Sequence, residues 1–388
     1  MATNTGVQYS GIWSLGGQIN AQAATAWSNQ PMPTLFGMGR NNSQFPALGL
    51  NNTTNYSSPK QTGGGTKDWS VVTSGPGFTL AIKTNGTLWA WGYNVLSALG
   101  IGGSYVSSPQ QVGALTNWLT ICSGYNRNLA IKTDGTLWSW GYNANGQIGD
   151  GTQTYRNSPV QIGSDTDWAS VGSGYQHSFA VKTGGTLYVW GRNHQGGLGL
   201  GNSTSYSSPK QLGALTNWLL AAGGTYHSVA IKTNGTLWAW GLNGLGQLGR
   251  GNAFYYSSPV QVGALTSWSK LRVVTNGAIS IRTDGTMWSW GNNPNGVLGL
   301  GNTTQVNSPI QIGSNSNWSK LASNGSDSAM CAAITTTGSL WAWGINQNGQ
   351  LGLNNTTYYS VPKQVGASTG WTSSSASERN LFAIRMVG

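Results

Sequence analysis

Carboxylates, the side chains that most often act as paired acids and bases, are few in this chain and widely spaced. Glu378 is the single glutamate, and seven aspartates accompany it in 388 residues. The closest pair is Asp165 and Asp167, just before Trp168, where other repeats carry Ala-Leu-Thr-Asn. A polar loop explains this pair better than acid–base chemistry does. We therefore expect no catalytic residues, and the protein is not expected to be an enzyme.

The histidines and cysteines, which could bind a metal ion, are also few and far apart in the sequence. The three histidines and two cysteines occur in separate segments without the spacing of a zinc site. We expect the two histidines that share a repeat position to be structural and the cysteines to be buried free thiols. No metal and no cofactor is expected. These residues are His177, His194, His227, Cys122 and Cys331.

A basic residue recurs just before a predicted hairpin turn, although Thr335 interrupts the series. In a closed ring of repeats, such positions would form a circle of cations on one face. That circle could bind an acidic protein surface or a phosphate backbone, whereas a solvated rim is the simpler interpretation. This candidate basic ring consists of Lys83, Lys132, Lys182, Lys232, Arg282 and Arg385.

Tyrosine recurs in the loops that precede a repeated proline, beside Asn, Ser and Thr. Aromatic faces can stack on sugars while polar neighbours bind their hydroxyl groups, so these loops are candidate glycan or receptor contacts. The alternative is that the rings pack over the edges of the repeats. The candidates are Tyr56, Tyr105, Tyr155, Tyr206, Tyr256 and Tyr359.

The composition excludes several classes of protein. Only 7% of the residues are charged, yet the chain has 20 Trp and 15 Tyr, the reverse of a disordered chain. The net charge is +11, but the basic residues are scattered singly, so we do not expect nucleic-acid binding. No apolar run approaches the roughly 18 residues of a membrane span, and the first residues lack the features of a secretion signal.

The chain is built from repeats of about 50 residues. The segment Leu237-Trp238-Ala239-Trp240-Gly241 returns with small changes along the sequence, and its final glycine marks each copy. A tryptophan and a proline keep the same period, also with seven members each. The marker glycines are Gly39, Gly92, Gly141, Gly191, Gly241, Gly291 and Gly344.

Each unit has the pattern of strands. Between Trp218 and Gly241, short apolar runs are separated by Gly223-Gly224 and by Asn234-Gly235, which we expect to supply the positive φ angles of a hairpin turn. A fourth strand is expected around Pro259. Four antiparallel strands in each of seven units predict an all-β seven-bladed β-propeller.

These motifs resemble the repeats of the regulator of chromosome condensation family. The resemblance lies in Lys232–Thr236, the Trp240-Gly241 pair, Asn243–Gly249 and Pro259, and it extends over about residues 34–388. The resemblance implies a seven-bladed propeller. The family's usual histidine before the third strand is kept only at 177 and 227, so no general role is inferred from it. Its counterparts elsewhere are Phe78, Arg127, Gly277, Met330 and Asn380.

The two ends of the chain complement each other. The last unit, which starts at Trp371, lacks the returning strand, and the repeats begin with that strand alone at residues 34–39. We predict that the N-terminal strand pairs with the C-terminal hairpin and closes the ring, which removes the open edges. The propeller should then span residues 34–388.

Residues 1–33 stand outside the predicted ring as a docking segment, with a short helix and a proline-rich lead into the first strand. Trp13 and Trp27 are its candidate contacts with a partner. The pattern of residues 11–15, with Gln18 and Ala24–Trp27, is similar to openings of phage structural proteins.

The leading hypothesis is a non-enzymatic phage virion protein in a tail, neck, fibre or decoration role. It would present the propeller for host attachment and join other virion proteins, as part of an oligomeric assembly, through residues 1–33. The alternative is an intracellular interaction scaffold or guanine-nucleotide exchange module, as the family resemblance implies. A third hypothesis is a lectin at the cell surface that binds host glycans. The expected location is the virion, or otherwise the cytoplasm or the extracellular surface.

Overall fold

The computed structural model describes residues 30–44, 46–324 and 329–388, and this part of the chain is almost entirely β-strand. Four short 3-10 turns are the helical elements within it, at Gly63–Gly65, Val95–Ser97, His194–Gly196 and Pro294–Gly296. None of the described helices has the length and apolar character needed to span a membrane. The all-β prediction is confirmed.

The described residues form 29 strands, whose lengths range from two to eight residues. In chain order they are β1 Met32–Gly39, β2 Tyr56–Gln61, β3 Trp69–Gly75, β4 Phe78–Lys83, β5 Leu88–Tyr93, β6 Tyr105–Gln111, β7 Trp118–Ser123, β8 Arg127–Lys132, β9 Leu137–Gly141, β10 Arg156–Gln161, β11 Trp168–Ser173, β12 His177–Lys182, β13 Leu187–Gly191, β14 Tyr206–Gln211, β15 Trp218–Gly223, β16 His227–Lys232, β17 Leu237–Gly241, β18 Tyr256–Gln261, β19 Trp268–Val274, β20 Gly277–Arg282, β21 Met287–Gly291, β22 Val306–Gln311, β23 Trp318–Leu321, β24 Ser323–Asn324, β25 Met330–Thr335, β26 Leu340–Gly344, β27 Tyr359–Gln364, β28 Trp371–Ala376 and β29 Asn380–Val387.

Seven antiparallel blades of four strands form a propeller, and the short strand β24 adds a fifth, parallel strand to the sheet of the last blade. Blade 1 is β3–β6, blade 2 is β7–β10, blade 3 is β11–β14, blade 4 is β15–β18 and blade 5 is β19–β22. Blade 6 orders its strands β23, β25, β26 and β27. The first strands of neighbouring blades contact each other around the ring, so they lie innermost, and the fourth strands form the outer edge.

Blade 7 closes the ring as predicted. Its strand order is β28, β29, β1 and β2, so the C-terminal hairpin supplies the two inner strands and the N-terminal segment the two outer ones. Met32 pairs with Val387 at one end of the β1–β29 ladder, and Gly39 pairs with Asn380 at the other. The strand begins at Met32, two residues before the predicted start of the ring.

The hairpin turn between second and third strands differs from the expected one. Gly235 has a φ of 74°, but Asn234 is not among the residues with positive φ. The turn is instead closed by the Lys232 N–H, which donates to the Thr236 carbonyl, while the Asn234 side-chain oxygen accepts from the backbone N–H of Thr236. One left-handed glycine followed by a bulge makes this turn, and the asparagine contributes as a local acceptor.

Apolar side chains fill the spaces between successive blades. One such cluster joins Val229 and Leu237 of blade 4 to Trp268 and Val273 of blade 5. The ring has two faces. The hairpin face carries the turns between second and third strands and the connections between blades. The long-loop face carries the turns between first and second strands and the loops that lead to the fourth.

Closure predicts a stability test. Deleting residues 32–39 should abolish cooperative unfolding, because the deletion removes a central strand of blade 7 and leaves the edge of β29 unpaired. Thermal unfolding followed by circular dichroism would measure this.

The control is deletion of residues 1–29, which leaves every strand of blade 7 intact and should preserve the cooperative transition. A cooperative transition at an unchanged midpoint in the chain that lacks residues 32–39 would disprove the role of β1 in closure.

Candidate functional site

The second tryptophan of the repeated Trp-x-Trp-Gly segment joins each blade to the one before it. Its indole N–H donates to a backbone carbonyl in the long loop of the preceding blade, and its ring is fully buried. This bond recurs at six joints, and Met38 occupies the position in blade 7. The six pairs are Trp91 to Ala47 (2.8 Å), Trp140 to Ala98 (3.2 Å), Trp190 to Gln147 (3.0 Å), Trp240 to Gly197 (2.9 Å), Trp290 to Gln247 (3.1 Å) and Trp343 to Val297 (2.8 Å).

The repeated Asn and Gly of the long loop serve this joint. In blade 2, the Asn143 side-chain oxygen accepts from Ile148 N–H at 2.8 Å, and its amide group donates to the Thr154 carbonyl at 2.9 Å. These bonds hold the loop against the ring of Trp190. A Cβ added to Gly149 would lie 2.6 Å from the Trp190 indole nitrogen, so only glycine fits there. The family motif is thus explained by inter-blade packing.

The candidate basic ring lies on the hairpin face, where each cation contacts one or two aromatic rings of its own blade. The Lys232 Nζ lies 4.8 Å from the ring centroid of Trp218 and 3.7 Å from that of Trp238, and Lys232 is only 6% exposed. Lys132 has the same environment between Trp118 and Trp138. Lys83, Lys182, Arg282 and Arg385 also contact one or two rings in this way.

Carboxylates of the same face pair with several of these cations. Asp165 and Asp167 lie 2.8 and 3.0 Å from the Lys182 Nζ. The two carboxylates that are closest in the sequence therefore form ion pairs with one lysine. Their hydrogen bonds raise the pKa of Lys182 despite its partial desolvation. Each basic-ring side chain thus has contacts within its blade, and its binding of an external anion stays a prediction.

The candidate tyrosines occupy two different registers of the fourth strand. Tyr56, Tyr206, Tyr256 and Tyr359 pair with the marker glycine of the third strand and are half-buried against the core clusters. Tyr105 and Tyr155 lie one residue earlier, level with Tyr255 and Tyr358, and are 58% and 39% exposed. Adjacent strand residues face opposite sides, so the six candidates do not form one equivalent surface. A glycan or receptor role stays a prediction.

The histidine position of the repeats makes contacts between blades. His177 and His227 each pair with the marker glycine of their blade, as do Arg127, Phe78, Gly277, Met330 and Asn380, which confirms their equivalence. Arg127 is fully buried and donates to Ser178 Oγ at 3.0 Å and to the Tyr175 carbonyl at 3.0 Å in the next blade. His177 Nε2 lies 3.0 Å from Ser228 Oγ.

Burial shifts the protonation of these groups. Desolvation, with a smaller contribution from the neighbouring Arg127 charge, lowers the pKa of His177 to about 3. Desolvation likewise lowers the pKa of His227 to about 4 and that of Arg127 to about 10. The histidines are therefore neutral at physiological pH and the arginine is charged.

Cys122 and Cys331 are buried free thiols, as predicted, and desolvation raises the pKa of each.

Blade 6 contains a feature that sequence reasoning missed. Three residues more separate Trp318 from Gly344 than separate Trp218 from Gly241. The first strand of blade 6, β23, ends at Leu321, and the chain continues into Ser323–Asn324, which pairs in parallel with Ser375–Ala376 of blade 7. Arg272, fully buried in blade 5, fixes this crossing through bonds to the carbonyls of Ala322 (3.0 Å), Ser323 (2.7 Å) and Ala376 (3.0 Å). The longer spacing between Trp318 and Gly344 was the signal in the sequence that could have revealed this crossing.

Shallow clefts open between neighbouring blades. One of them, about 450 Å³, is lined by Trp268 and Trp288 of blade 5 and by Arg250. An equivalent cleft of about 380 Å³ carries Asp150 and Asp165 instead. Because the charged groups differ from cleft to cleft, the clefts do not present one repeated ligand chemistry. Within the described residues, no group of three or more metal-ligating side chains converges.

The residues named as docking contacts, Trp13 and Trp27, lie outside the described residues, as does most of the segment 1–33. The proposal that this segment joins another subunit or particle stays a prediction.

The fold and its inter-blade joints define a seven-bladed propeller built from repeats of one type. The family model described as "Regulator of chromosome condensation (RCC1) repeat" matches residues 85–131, 134–181, 184–231, 234–275, 284–332 and 337–384, well over half of the chain. A second model with the same description matches residues 119–147, 168–196 and 220–247. The chain therefore belongs to the regulator of chromosome condensation repeat family.

Solved structures share the whole fold. Human WBSCR16 is 21% identical with a TM-score of 0.80, over 92% of this chain and 99% of its own. Prp20p from Saccharomyces cerevisiae, described with its binding to Gsp1p and histones, is 16% identical with a TM-score of 0.79 over 94% of both chains. Yeast RCC1 (Prp20) bound to Kap60 has the same identity and TM-score over 100% of this chain and 96% of its own. No curated protein matches the chain significantly.

The cation–aromatic contacts predict a stability effect. Replacing Lys232 by Met keeps the apolar stem but removes the charge between two rings, which should lower the free energy of unfolding by about 1–2 kcal/mol. Denaturant unfolding would measure it. The control is Lys67→Met, since Lys67 is exposed and should change stability by less than about 0.5 kcal/mol. Equal stabilities of the two variants would refute a structural role for the basic ring.

The buried histidines predict a dependence on pH. The unfolded chain binds protons with a histidine pKa near 6.5, whereas folded His177 and His227 resist protonation until about pH 3 and 4. Stability should therefore decline as the pH falls from about 6.5 towards 4. His227→Met, which copies Met330 of blade 6, removes one of these groups and should give a shallower decline. An unchanged slope of melting temperature against pH would contradict this assignment.

Proposed function

We propose that this protein is a non-enzymatic platform that binds other proteins through the exposed loops of its propeller. The observation that carries the proposal is that each repeat combines constant structural residues with variable loop residues. The residues that recur from unit to unit are used in contacts within blades and in joints between blades, while the loop tips on the long-loop face change from blade to blade. A constant frame with variable tips is how binding surfaces are commonly built on rigid scaffolds.

The tips have the composition of a protein-binding surface. The turns between the first and second strands carry Tyr125-Asn126 in blade 2, Tyr175-Gln176 in blade 3 and Thr225-Tyr226 in blade 4. Tyrosine beside Ser, Gly, Asn and Thr provides large contact area at low entropic cost, together with adaptable hydrogen bonds. The comparisons support the same function, because yeast proteins of this fold are described as bound to Kap60 and as binding Gsp1p and histones.

Guanine-nucleotide exchange is not the form of this function that we favour. Five of the described carboxylates lie on the hairpin face, where Asp68, Asp165, Asp167 and Asp284 are within 3.3 Å of basic-ring residues. Asp134 binds the hydroxyl of Thr136 in its own turn. Each of these carboxylates thus already contacts a side chain of its own blade, which favours a largely uncharged interface over a charged one. The virion and lectin roles receive no support from the comparisons and stay predictions.

The test is to identify a partner and then rebuild the complex from purified components. The full chain would carry a photo-crosslinking residue at position 125, with a matched chain that carries it at position 308, on the outer strand of blade 5. A crosslinked protein that forms a complex of fixed stoichiometry with the untagged chain, measured by light scattering, is the expected result. Failure of every crosslinked protein to form such a complex would refute the platform function.

A further inference from the structure

One region of the long-loop face differs from the rest of the ring. Over blades 2–4, neighbouring turns and loops carry four tyrosines and a histidine on this face together with one arginine. We call this the tyrosine–arginine patch, and it consists of Tyr125, Tyr142, Tyr175, Arg192, His194 and Tyr226. All but His194 are half-buried, so each presents part of its side chain to solvent.

The members of the patch contact each other across blade boundaries. The rings of Tyr125 and Tyr175 have centroids 4.3 Å apart at an angle of 38°. The Arg192 guanidinium lies 5.8 Å from the ring centroid of Tyr226, and the His194 ring meets the same tyrosine edge-on at 4.9 Å. The positive charge of Arg192 also opposes the rise in the pKa of Tyr142 that burial causes.

Arg192 has an incomplete set of partners for its charge. Its Nη1 donates to the Gln176 side-chain oxygen at 2.6 Å, and no described carboxylate forms an ion pair with it. Arg156, at the start of β10, differs because it pairs with Asp150 at 2.5 Å. Arg250 is similar to Arg192 in donating to one neutral oxygen, the Gln261 carbonyl, and it lies 5.4 Å from the ring of Tyr256 in its own blade. Arg192 instead presents a guanidinium without a described carboxylate partner beside a tyrosine of the next blade, Tyr226.

The backbone under the patch is fixed before any partner arrives. The Tyr175 N–H donates to the Gly224 carbonyl of the next blade at 2.9 Å, and the Arg192 N–H donates to the Gln176 carbonyl at 2.9 Å. The N–H of Leu242 donates to the Tyr226 carbonyl at 3.0 Å, which fixes the turn that carries Tyr226. A surface that is already ordered loses little conformational entropy on binding, which favours affinity.

We propose that the tyrosine–arginine patch binds a protein segment that offers a carboxylate to Arg192 and apolar side chains to the tyrosine rings. The inference rests on the proposed platform function and assigns its binding surface. A guanidinium matches a carboxylate through two parallel hydrogen bonds, and Tyr and Arg are the residues that dominate protein-binding energies. A single unpaired cation does not suit nucleic acid, which requires several phosphate contacts.

The test uses peptides, so it does not depend on finding the natural partner. Random 12-residue peptides would be selected on the immobilised full-length protein, and one selected peptide would be labelled for fluorescence anisotropy. We expect the selected peptides to share an Asp or Glu next to an aromatic or aliphatic residue. Arg192→Gln and Tyr226→Ala should each weaken binding tenfold or more, and Arg192→Lys should weaken it less, because the charge remains.

Matched controls lie elsewhere on the ring. Lys67→Gln removes an exposed cation on the hairpin face, and Tyr358→Ala removes a 42% exposed tyrosine in blade 6. Both should bind the peptide like the parent protein, and all variants should keep its melting temperature. Selected peptides without carboxylates, or binding that is unchanged in Arg192→Gln, would overturn the proposal. So would an equal loss in both controls.

The outcomes separate this proposal from the general one. If a crosslinked partner forms a stable complex but Arg192→Gln leaves that complex intact, the platform function holds and the assignment to the patch fails. If the peptides require Arg192 but no native partner forms a complex, the patch assignment stands as a peptide-binding site and the platform function fails.

Discussion

An indole N–H that crosses from one blade to the loop of the preceding blade determines most of the recurring sequence. The bond fixes the second tryptophan of Trp-x-Trp-Gly, the glycine against which its ring packs, and the asparagine that holds the loop in place. Where Met38 replaces the tryptophan, Gln350 donates to the Glu378 carbonyl at 3.1 Å across the same joint. Leaving the buried indole N–H of this joint without its acceptor would cost free energy, so these positions tolerate little variation.

The fold could be predicted from the sequence because its constraints are periodic. Seven copies of each marker define seven blades, and the missing strand at one end with the surplus strand at the other predicts the closure in β1 and β29. The candidate sites were harder to predict from the sequence, because they depend on the pairing register of the strands and on contacts between distant repeats. A shift of one residue separates Tyr105 from Tyr206 in the strand ladder, and loop alignment alone does not reveal it.

Repetition also conceals chemistry that is specific to one blade. The basic position recurs and so suggests a ligand surface, yet its lysines lie against aromatic rings that also recur. The features that break the pattern were overlooked, among them Arg272 with its crossing strand and Arg192 among tyrosines. In a repeat protein, constant residues largely describe the frame, and departures from the repeat are better guides to function.

The closure of blade 7 places a demand on synthesis of the chain. β1 emerges from the ribosome before its partner strand β29, and the other six blades lie between them in the chain. At ribosomal speeds of about 5–20 residues per second, this interval lasts roughly 20–70 s, during which the apolar strand β1 lacks its inner neighbour β29. Translation rate, and chaperones that cover exposed strand edges, should therefore influence the yield of native protein more than they do for a fold whose neighbours in space are neighbours in sequence.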